Sequence, residues 1–462
     1  MAERERDKDS DTITAIATPP GFSGIGIVRI SGKDALSIAD KLFQGKKRLS
    51  ELSGYQACYG WVVEEGEKLD EVIALVMRAP RSYTREDVVE FHCHGGPVVL
   101  KRVLEAVLRK GARLAEPGEF TKRAFLAGRI DLSQAEAVSQ LIFAQTESAA
   151  RSALRGLAGE LGEKTRQLRQ RLVEVLADLE AGLDFAEEEI EFISPSDLLK
   201  SLGEIDFELS RLINRAQAGM ILSEGINLVI AGRPNVGKST LMNALLERDR
   251  VIVTPYPGTT RDVVEEVVNI AGVPVRLSDT AGIRREADEI EKYGVERSYQ
   301  AIARADLVLL LLDGSEPLTD HDQKLLKETE DKNRLIIINK IDLAQKIPEK
   351  ELAGFIQGEQ ILKISAKTGQ GIEELKRKIE EMIFTGELSG EDALVASLRQ
   401  LELLRASREQ IQRAIKTAQQ GLSEEFIASE LRRAVELLGE ISGESVSEEM
   451  LEIIFSKFCI GK

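Results

Sequence analysis

The stretch GRPNVGKS at residues 232–239 matches the pattern G-x-x-x-x-G-K-[ST] in full. A short apolar run precedes it at 226–231, and a run with helical periodicity follows at 240–246. A glycine-rich loop between a strand and a helix can turn several backbone N–H groups towards a phosphate. The stretch therefore predicts a phosphate loop, in which Lys238 reaches the β- and γ-phosphates and Ser239 binds Mg²⁺. A glycine-rich turn that matches by accident is the alternative.

Two further motifs suit the metal and the γ-phosphate. Thr260 ends a polar stretch and can close over Mg²⁺ when a γ-phosphate is bound. Residues 279–282 read DTAG and follow a predicted strand, so that Asp279 would lie in the second shell of the metal and Gly282 would contact the γ-phosphate. Both motifs favour a nucleoside triphosphate as the ligand.

Two later motifs identify the base. Residues 339–342 read NKID, and the carboxylate of Asp342 can accept two hydrogen bonds from guanine N1 and its exocyclic amine, a donor pair that adenine lacks. Residues 365–367 read SAK, whose backbone can donate to guanine O6. Because each motif ends a predicted strand, the set indicates an α/β guanine nucleotide domain. The residues predicted to contact GTP are Asn235, Val236, Gly237, Lys238, Ser239, Thr240, Thr254, Thr259, Thr260, Asp279, Thr280, Ala281, Gly282, Asn339, Lys340, Asp342, Ser365, Ala366 and Lys367.

One position departs from the pattern of Ras-type GTPases. Where these carry a glutamine that orients the attacking water, the chain has Ile283, which cannot form a hydrogen bond. Hydrolysis then needs other assistance. Asn235 offers an amide oxygen that could hold a monovalent cation in the place of an arginine. The nearby Arg261, Arg284 and Arg285 are more readily interpreted as solvated charges in loops than as catalytic groups.

The composition favours a soluble, cytoplasmic protein. Hydrophobic residues make up 43% of the 462 residues and charged residues 30%, and no apolar run approaches the ~18 residues of a membrane span. Three cysteines exclude a disulfide framework. A net charge of −16 argues against broad, unaided nucleic-acid binding, so any RNA contact should be local or supplied by a partner.

The apolar patterns predict three kinds of domain in four segments. Residues 1–120 read as a compact α+β domain that begins with a disordered tail and includes a helix over 31–43. Residues 121–220 and 386–462 have the periodicity of long amphipathic helices, including one run over 135–161. Residues 221–385 form the nucleotide domain. We therefore expect one discontinuous helical domain interrupted by a Ras-like α/β domain, with an extended solenoid as the alternative.

Two cysteine-containing stretches leave alternatives open. His92, Cys93 and His94 suggest a metal site, but no third ligand lies nearby, which favours a structural role. The chain ends in FCIGK at 458–462, a sequence that does not fit a prenylation signal. Cys459 could be carried to a distant active site by a flexible tail, or it could be an incidental thiol.

Several stretches together resemble the bacterial and organellar tRNA modification GTPases known as MnmE or TrmE. They are ATPPG near the start, EDVVEFHCHGGP, PGEFTKRAFLAGRIDLSQAEA, GRPNVGKST, GTTRD, DTAG, NKID and the terminal FCIGK. The resemblance covers nearly the whole chain. It implies a homodimer with an N-terminal folate-binding domain, an interrupted helical domain and a potassium-stimulated GTPase domain. It also implies a heterotetramer with a flavoprotein partner that carries FAD (MnmG, also called GidA), which together install an aminomethyl or carboxymethylaminomethyl group at C5 of the wobble uridine of certain tRNAs.

The resemblance also implies roles for individual residues. The contacts to 5-formyltetrahydrofolate, or a related folate, fall on Arg29, Glu90, Arg129 and Lys462. The potassium ligands fall on Asn235, Thr254, Tyr256 and Thr259, and Tyr256 would bind through its backbone. The Mg²⁺ ligands fall on Ser239 and Thr260. Glu291 would position the attacking water, and Cys459 would serve modification but not GTP hydrolysis. Relatives often have a histidine near Gln400, a departure to which we attach no consequence.

Two rival functions remain at this point. A regulatory or ribosome-assembly GTPase shares the phosphate loop and NKID, but usually adds an RNA-binding module with a basic face, which this sequence lacks. A generic ATPase is opposed by Asp342. Mass spectrometry of tRNA nucleosides would distinguish the regulatory GTPase from the leading hypothesis. Competition between nucleotides for binding would distinguish the ATPase from it.

Overall fold

A computed structural model describes residues 11–184, 193–249, 266–279, 300–348, 352, 354–355, 361–384 and 393–462. The chain divides into two compact units. The first runs to Ser139 and includes Val435–Lys462, and the second is Gln140–Ala434. None of the helices in these described ranges is long and apolar enough to cross a membrane.

Strands and helices are numbered here in chain order. The strands are β1 (Ile13–Ile16), β2 (Ser23–Ser31), β3 (Phe43–Gly45), β4 (Gln56–Glu64), β5 (Glu67–Met77), β6 (Val88–Gly95), β7 (Arg113–Leu114), β8 (Ile226–Ala231), β9 (Glu266–Ile270), β10 (Val273–Asp279), β11 (Leu307–Asp313), β12 (Arg334–Asn339) and β13 (Ile361–Lys363). The helices are α1 (Ala35–Asp40), α2 (Pro97–Arg109), α3 (Glu119–Leu126), α4 (Leu132–Phe143), α5 (Glu147–Leu157), α6 (Glu160–Asp184), α7 (Pro195–Glu224), α8 (Lys238–Asp249), α9 (Asp320–Glu328), α10 (Ile372–Ile383), α11 (Leu398–Gln419), α12 (Glu424–Ser442) and α13 (Glu448–Ser456).

The first unit is built on a seven-stranded sheet in the order β3-β4-β5-β6-β2-β1-β7. Neighbouring strands are antiparallel except β1 and β7. Alternate residues such as Val28, Ile30 and Phe91 are buried in a core that includes side chains of α1 and α2, which gives these strands their period of two. The predicted helix over 31–43 is shorter in the structure, because Ser31 closes β2 and Phe43 opens β3.

The end of the chain completes this unit. Phe455 at the end of α13 and Phe458 just after it are buried in a cluster with Ala124 of α3 and Leu132 of α4. The periodicity of residues 386–462 alone does not indicate this packing, and α13 was not predicted from the sequence. The segment after Ala434 thus belongs with the first unit, although its sequence character is helical throughout.

Among its described residues, the second unit contains a six-stranded sheet in the order β13-β12-β11-β8-β10-β9. Strands β8 and β10 to β13 are parallel, while β9 forms an antiparallel hairpin with β10 at the edge. Every residue of β11 and β12 is buried, as expected for parallel strands covered on both faces. The predicted α/β domain is therefore present, with all parallel strands ending at one edge.

Long helices form the rest of the second unit. The sequence run 135–161 is divided into three helices by the N-cap at Thr146 and by Gly159, whose φ is 90°. Helices before and after the nucleotide domain pack together, since Arg408 pairs with Asp206 at 2.9 Å and Arg432 pairs with Glu180 at 2.8 Å. Within Gln140–Ala434, helices from both sides of the nucleotide domain therefore contact each other, and residue 220, the predicted boundary, lies inside α7.

Candidate functional site

The nucleotide motifs lie at one edge of the second sheet. Parallel strands end side by side, so the loops after β8, β12 and β13 and the end of β10 lie at the same edge of the sheet. Asp279, the last residue of β10, stands in register with Ile230 next to the phosphate loop. The ends of the strands that carry these motifs therefore lie at one edge of the sheet.

The phosphate loop joins β8 to α8 through an unusual backbone. Gly232, Asn235 and Gly237 have φ values of 153°, 66° and 103°. A Cβ on Gly232 would lie 2.6 Å from the carbonyl oxygen of Leu311, and one on Gly237 would collide with the amide of Asn339. Only glycine fits at these two positions, which explains the spacing of the motif.

Lys238 opens α8 and its side chain is held inside the loop. Its ammonium donates to the carbonyl oxygens of Gly232 at 2.7 Å and Arg233 at 3.0 Å, and the residue is buried. Asn235, Ser239 and Thr240 are exposed on the same loop and first helical turn. The backbone N–H groups at the start of α8 and the buried ammonium of Lys238 can donate to a nucleotide phosphate. The accessible hydroxyl of Ser239 can bind Mg²⁺ beside that phosphate.

The two halves of the site are joined by Asn339. This residue is 2% exposed; its amide nitrogen donates to the carbonyl oxygen of Val236 at 2.8 Å, and its amide oxygen accepts from the backbone of Ala366 at 2.9 Å. One side chain thus ties the phosphate loop to the SAK loop. The sequence placed Asn339 in the site, but this bridging role depends on three loops being neighbours.

The base-binding carboxylate is exposed and oriented. The Ser365 hydroxyl donates to Asp342 at 2.7 Å, and this hydrogen bond holds the pKa of the Asp342 carboxyl below its usual value. Lys340, whose φ is 64°, pairs with Asp313 at 2.5 Å and so fixes the NKID loop against β11. Asp342 is therefore charged at neutral pH, and its carboxylate can accept hydrogen bonds.

Several predicted site residues lie outside the described residues. They are Thr254, Tyr256, Thr259, Thr260, Thr280, Ala281, Gly282 and Glu291, and the departure at Ile283 lies there too. For Asp279 only the backbone is described. Of the predicted potassium ligands, Asn235 alone can be placed, and of the predicted Mg²⁺ ligands, Ser239 alone.

A second cluster lies in the first unit, around Arg29 and Glu90. The two residues face each other across β2 and β6, and Arg29 Nε lies 2.7 Å from Glu90 Oε1. Arg29 also donates to the carbonyl oxygen of Gly461 at 3.1 Å, and the other Glu90 oxygen is 3.3 Å from His92 Nε2. The structure brings these groups together over 432 positions of sequence.

The C-terminal residues are packed against this cluster. A Cβ on Gly461 would lie 2.5 Å from the carbonyl oxygen of Ile16, and the carbonyl oxygen of Cys459 accepts from the backbone of Gly118 at 3.3 Å. The tail that carries Cys459 is packed in this structure, because the neighbouring Phe458 is buried. Burial, and then the charge of Arg29, lower the pKa of Lys462.

Tyr83 links the fourth predicted residue to the cluster. The Arg129 guanidinium lies 4.7 Å from the centre of the Tyr83 ring, and that of Arg29 lies 6.0 Å from the same ring. All four residues carried over from the resemblance therefore lie in one region. Sequence reasoning missed Tyr83, for which there was no sequence signal. It also missed the contact between His92 and Glu90, which lie two positions apart on β6 and so on the same face of the sheet.

His92 and His94 contact different carboxylates. His92 faces Glu90, whereas His94 Nδ1 lies 2.6 Å from Asp70, a hydrogen bond that raises the pKa of His94. In the part of the chain that the structure describes, no group of three or more histidine, cysteine or acidic side chains could hold a metal ion. The expected structural role of this stretch is consistent with these pairings.

The sheet topology, the phosphate loop and the exposed, oriented Asp342 define a P-loop protein of the guanine nucleotide-binding class. Residues 12–129 match the family model described as GTP-binding protein TrmE N-terminus, and residues 132–459 match that of the MnmE helical domain. The chain belongs to the MnmE family of tRNA modification GTPases, as the sequence resemblance predicted.

Curated relatives agree with this assignment over their full length. The tRNA modification GTPase MnmE of Syntrophus aciditrophicus is 48% identical over 456 residues, 98% of this chain and 99% of that protein. The protein of the same name from Staphylococcus epidermidis is 44% identical over 458 residues, 98% of this chain and 100% of that protein. Among solved structures, the G domain of the T. maritima FeoB iron transporter is 33% identical over 34% of this chain and 98% of that chain, with a TM-score of 0.26.

Proposed function

We propose that the protein binds GTP with Mg²⁺ and hydrolyses it as part of tRNA modification. The observation that carries this proposal is the Asn339 bridge, which holds a phosphate loop and a guanine-selective loop in one site. Lys238 and the helix N-terminus behind it supply positive charge for the phosphates, and Asp342 selects guanine over adenine. Family membership connects this GTP site with tRNA modification.

We infer that hydrolysis is stimulated by K⁺. Asn235 is exposed in the phosphate loop, where its amide oxygen can bind a monovalent cation beside the phosphates. Ile283 offers no hydrogen bond to the attacking water, so a cation that stabilises charge in the transition state has a clear role. The proposed ligands are Asn235, Thr254, Tyr256 and Thr259, with Ser239 and Thr260 on Mg²⁺ and Glu291 positioning the water.

The cluster in the first unit is proposed to bind 5-formyltetrahydrofolate or a related folate. Glu90 offers carboxylate oxygens to the amino groups of a pterin, while Arg29, Arg129 and Lys462 suit the carboxylates and polar edges of a folate. A bound folate would supply a one-carbon unit. Cys459 lies three residues from the end of the packed tail, next to this cluster, which supports a role for its thiol in modification.

Partners complete the proposed function. A net charge of −16 leaves RNA binding largely to another protein, and we propose an FAD-containing flavoprotein of the MnmG (GidA) type. The two proteins, each as a homodimer, would form a cytoplasmic heterotetramer that modifies C5 of the wobble uridine. The added group is aminomethyl or carboxymethylaminomethyl.

The decisive experiment compares tRNA nucleosides from cells with and without the gene by mass spectrometry, alongside GTP hydrolysis by the purified protein. We expect the C5-modified wobble uridine to disappear on deletion and the purified protein to hydrolyse GTP but not ATP. Unchanged nucleosides together with GTP hydrolysis would favour the regulatory or ribosome-assembly alternative instead.

A further inference from the structure

Helix α5 begins at a threonine with two hydrogen-bonding tasks. Thr146 is the N-cap, and its hydroxyl accepts from the backbone N–H of Ala149 at 3.1 Å. The same hydroxyl donates to the carbonyl oxygen of Gly272 at 2.6 Å. Since Thr146 is buried, this second hydrogen bond is shielded from water, and it reaches 126 positions along the chain.

Gly272 lies in the tight turn that connects β9 and β10. Ala271 and Gly272 have φ values of 52° and 86°, the backbone of a two-residue hairpin turn, and Gly272 N–H donates to Asn269 at 2.8 Å. A Cβ on Gly272 would collide with the side chain of Ser148. The start of α5 is therefore seated directly on the turn of this hairpin.

The middle of α5 contacts the chain just after the nucleotide domain. The buried hydroxyl of Ser152 donates to the carbonyl oxygen of Ala393 at 3.3 Å, in the segment where the chain returns from that domain. Leu394 then donates its backbone N–H to Arg215 of α7 at 3.0 Å. One short helix thus contacts both the hairpin turn and the returning chain.

The hairpin leads to the nucleotide site. Its strand β10 pairs with β8, which carries the phosphate loop, and ends at Asp279 beside Ile230. Its strand β9 begins six residues after Thr260 in the sequence. The hairpin turn and Asp279 thus lie at opposite ends of β10, which pairs with β8 from Val275 to Asp279.

From these contacts we propose that Thr146 is a positioning residue for GTP hydrolysis, which acts through its hydrogen bond to Gly272 on the placement of the β9–β10 hairpin. This inference rests on the proposed hydrolysis of GTP. A simpler role as the N-cap of α5 would affect the stability of the helix but would not affect the placement of the hairpin. The two roles use different properties of the hydroxyl, accepting for the cap and donating for the hairpin.

Substitutions at Thr146 separate these roles. Thr146→Ser keeps both hydrogen bonds and is the matched control. Thr146→Asp keeps a side-chain acceptor for the helix cap, but its carboxylate cannot donate to Gly272. Thr146→Val removes both. The full-length protein is assayed for GTP hydrolysis over a range of GTP concentrations in potassium-containing buffer, with thermal unfolding of each variant measured in parallel.

We expect Thr146→Asp to lower kcat by at least about twofold, because the variant loses one hydrogen bond and brings a carboxylate against the Gly272 carbonyl oxygen, with KM for GTP little changed. Thr146→Ser should match the unsubstituted protein, and amides of residues 266–279 should exchange with deuterium faster in Thr146→Asp. If Thr146→Asp keeps the wild-type kcat and exchange while Thr146→Val loses only thermal stability, the residue is a cap and the inference is wrong. Absence of hydrolysis in the unsubstituted protein would instead refute the proposed function.

Discussion

Replacing Asn339 tests whether one buried amide holds the nucleotide site together. In Asn339→Ala the carbonyl oxygen of Val236 and the backbone N–H of Ala366 lose partners that now lie 2.8 and 2.9 Å away. Asn339 is 2% exposed, so water has little access to replace these hydrogen bonds. The change therefore affects the phosphate loop and the SAK loop together.

The magnitude follows from the two groups left without partners. A buried polar group that loses its hydrogen bond costs about 1–3 kcal/mol, so two such groups predict a loss of about 2–6 kcal/mol in the free energy of unfolding of the nucleotide domain. Where the loops relax to find other partners, the lower end applies. We also expect GTP affinity to fall by at least about tenfold, because a loss of 1.4 kcal/mol in binding already corresponds to that factor.

Two measurements check this prediction. Urea unfolding followed by circular dichroism gives the free energy, and titration with a fluorescent GTP analogue gives the affinity. Asn333→Ala is the matched control, since Asn333 is an exposed asparagine just before the start of the same strand. Equal stability and equal affinity in the Asn339→Ala and Asn333→Ala variants would refute the argument that Asn339 joins the two halves of the site.

Three further predictions concern modification, the cation and acid stability. Cys459→Ser should abolish the modified wobble nucleoside while GTP turnover stays at the wild-type rate; a mutant that still modifies tRNA would contradict the assigned role of this thiol. Replacement of K⁺ by Na⁺ should lower GTP turnover by at least about tenfold, because a group that stabilises charge in the transition state is lost. Unchanged turnover in Na⁺ would exclude a catalytic role for K⁺. Burial opposes ionisation of Glu119, but hydrogen bonds from Arg113 and the backbone of Glu116 hold its pKa below the usual 4.5. The resulting stabilisation is present above pH 4.5 and is lost as the pH falls through the lower folded-state pKa. Glu119→Gln should therefore flatten the acid dependence of the unfolding free energy, and an unaltered pH profile of that variant would speak against this ion pair.

The local chemistry of the phosphate loop was predictable in detail. Gly232 and Gly237 adopt positive φ values that other residues avoid, and Lys238 must follow at a set distance, so the motif itself specifies its conformation. Apolar runs such as 307–313 likewise indicate buried parallel strands. The helix predicted over 31–43 was too long, because the boundaries of a short helix depend on strands that pair with distant partners.

The second cluster was predicted less directly. Arg29, Glu90, Arg129 and Lys462 were assigned by resemblance alone, since nothing in their spacing links them. Tyr83 had no signal at all, although its ring centre lies 6.0 Å from the guanidinium of Arg29 and 4.7 Å from that of Arg129.

By itself, the sequence determined the phosphate loop, the guanine-selective motifs, the parallel strands and the presence of helices on both sides of the nucleotide domain. These features follow from residues within about a dozen positions of one another, where backbone preference and hydrophobic period act directly. Only the tertiary structure decided that residues 435–462 pack with the first unit, that Arg29 meets Gly461, and that Thr146 contacts Gly272. Such contacts join segments more than a hundred residues apart, and they form because buried polar groups must find partners wherever packing brings the chain together.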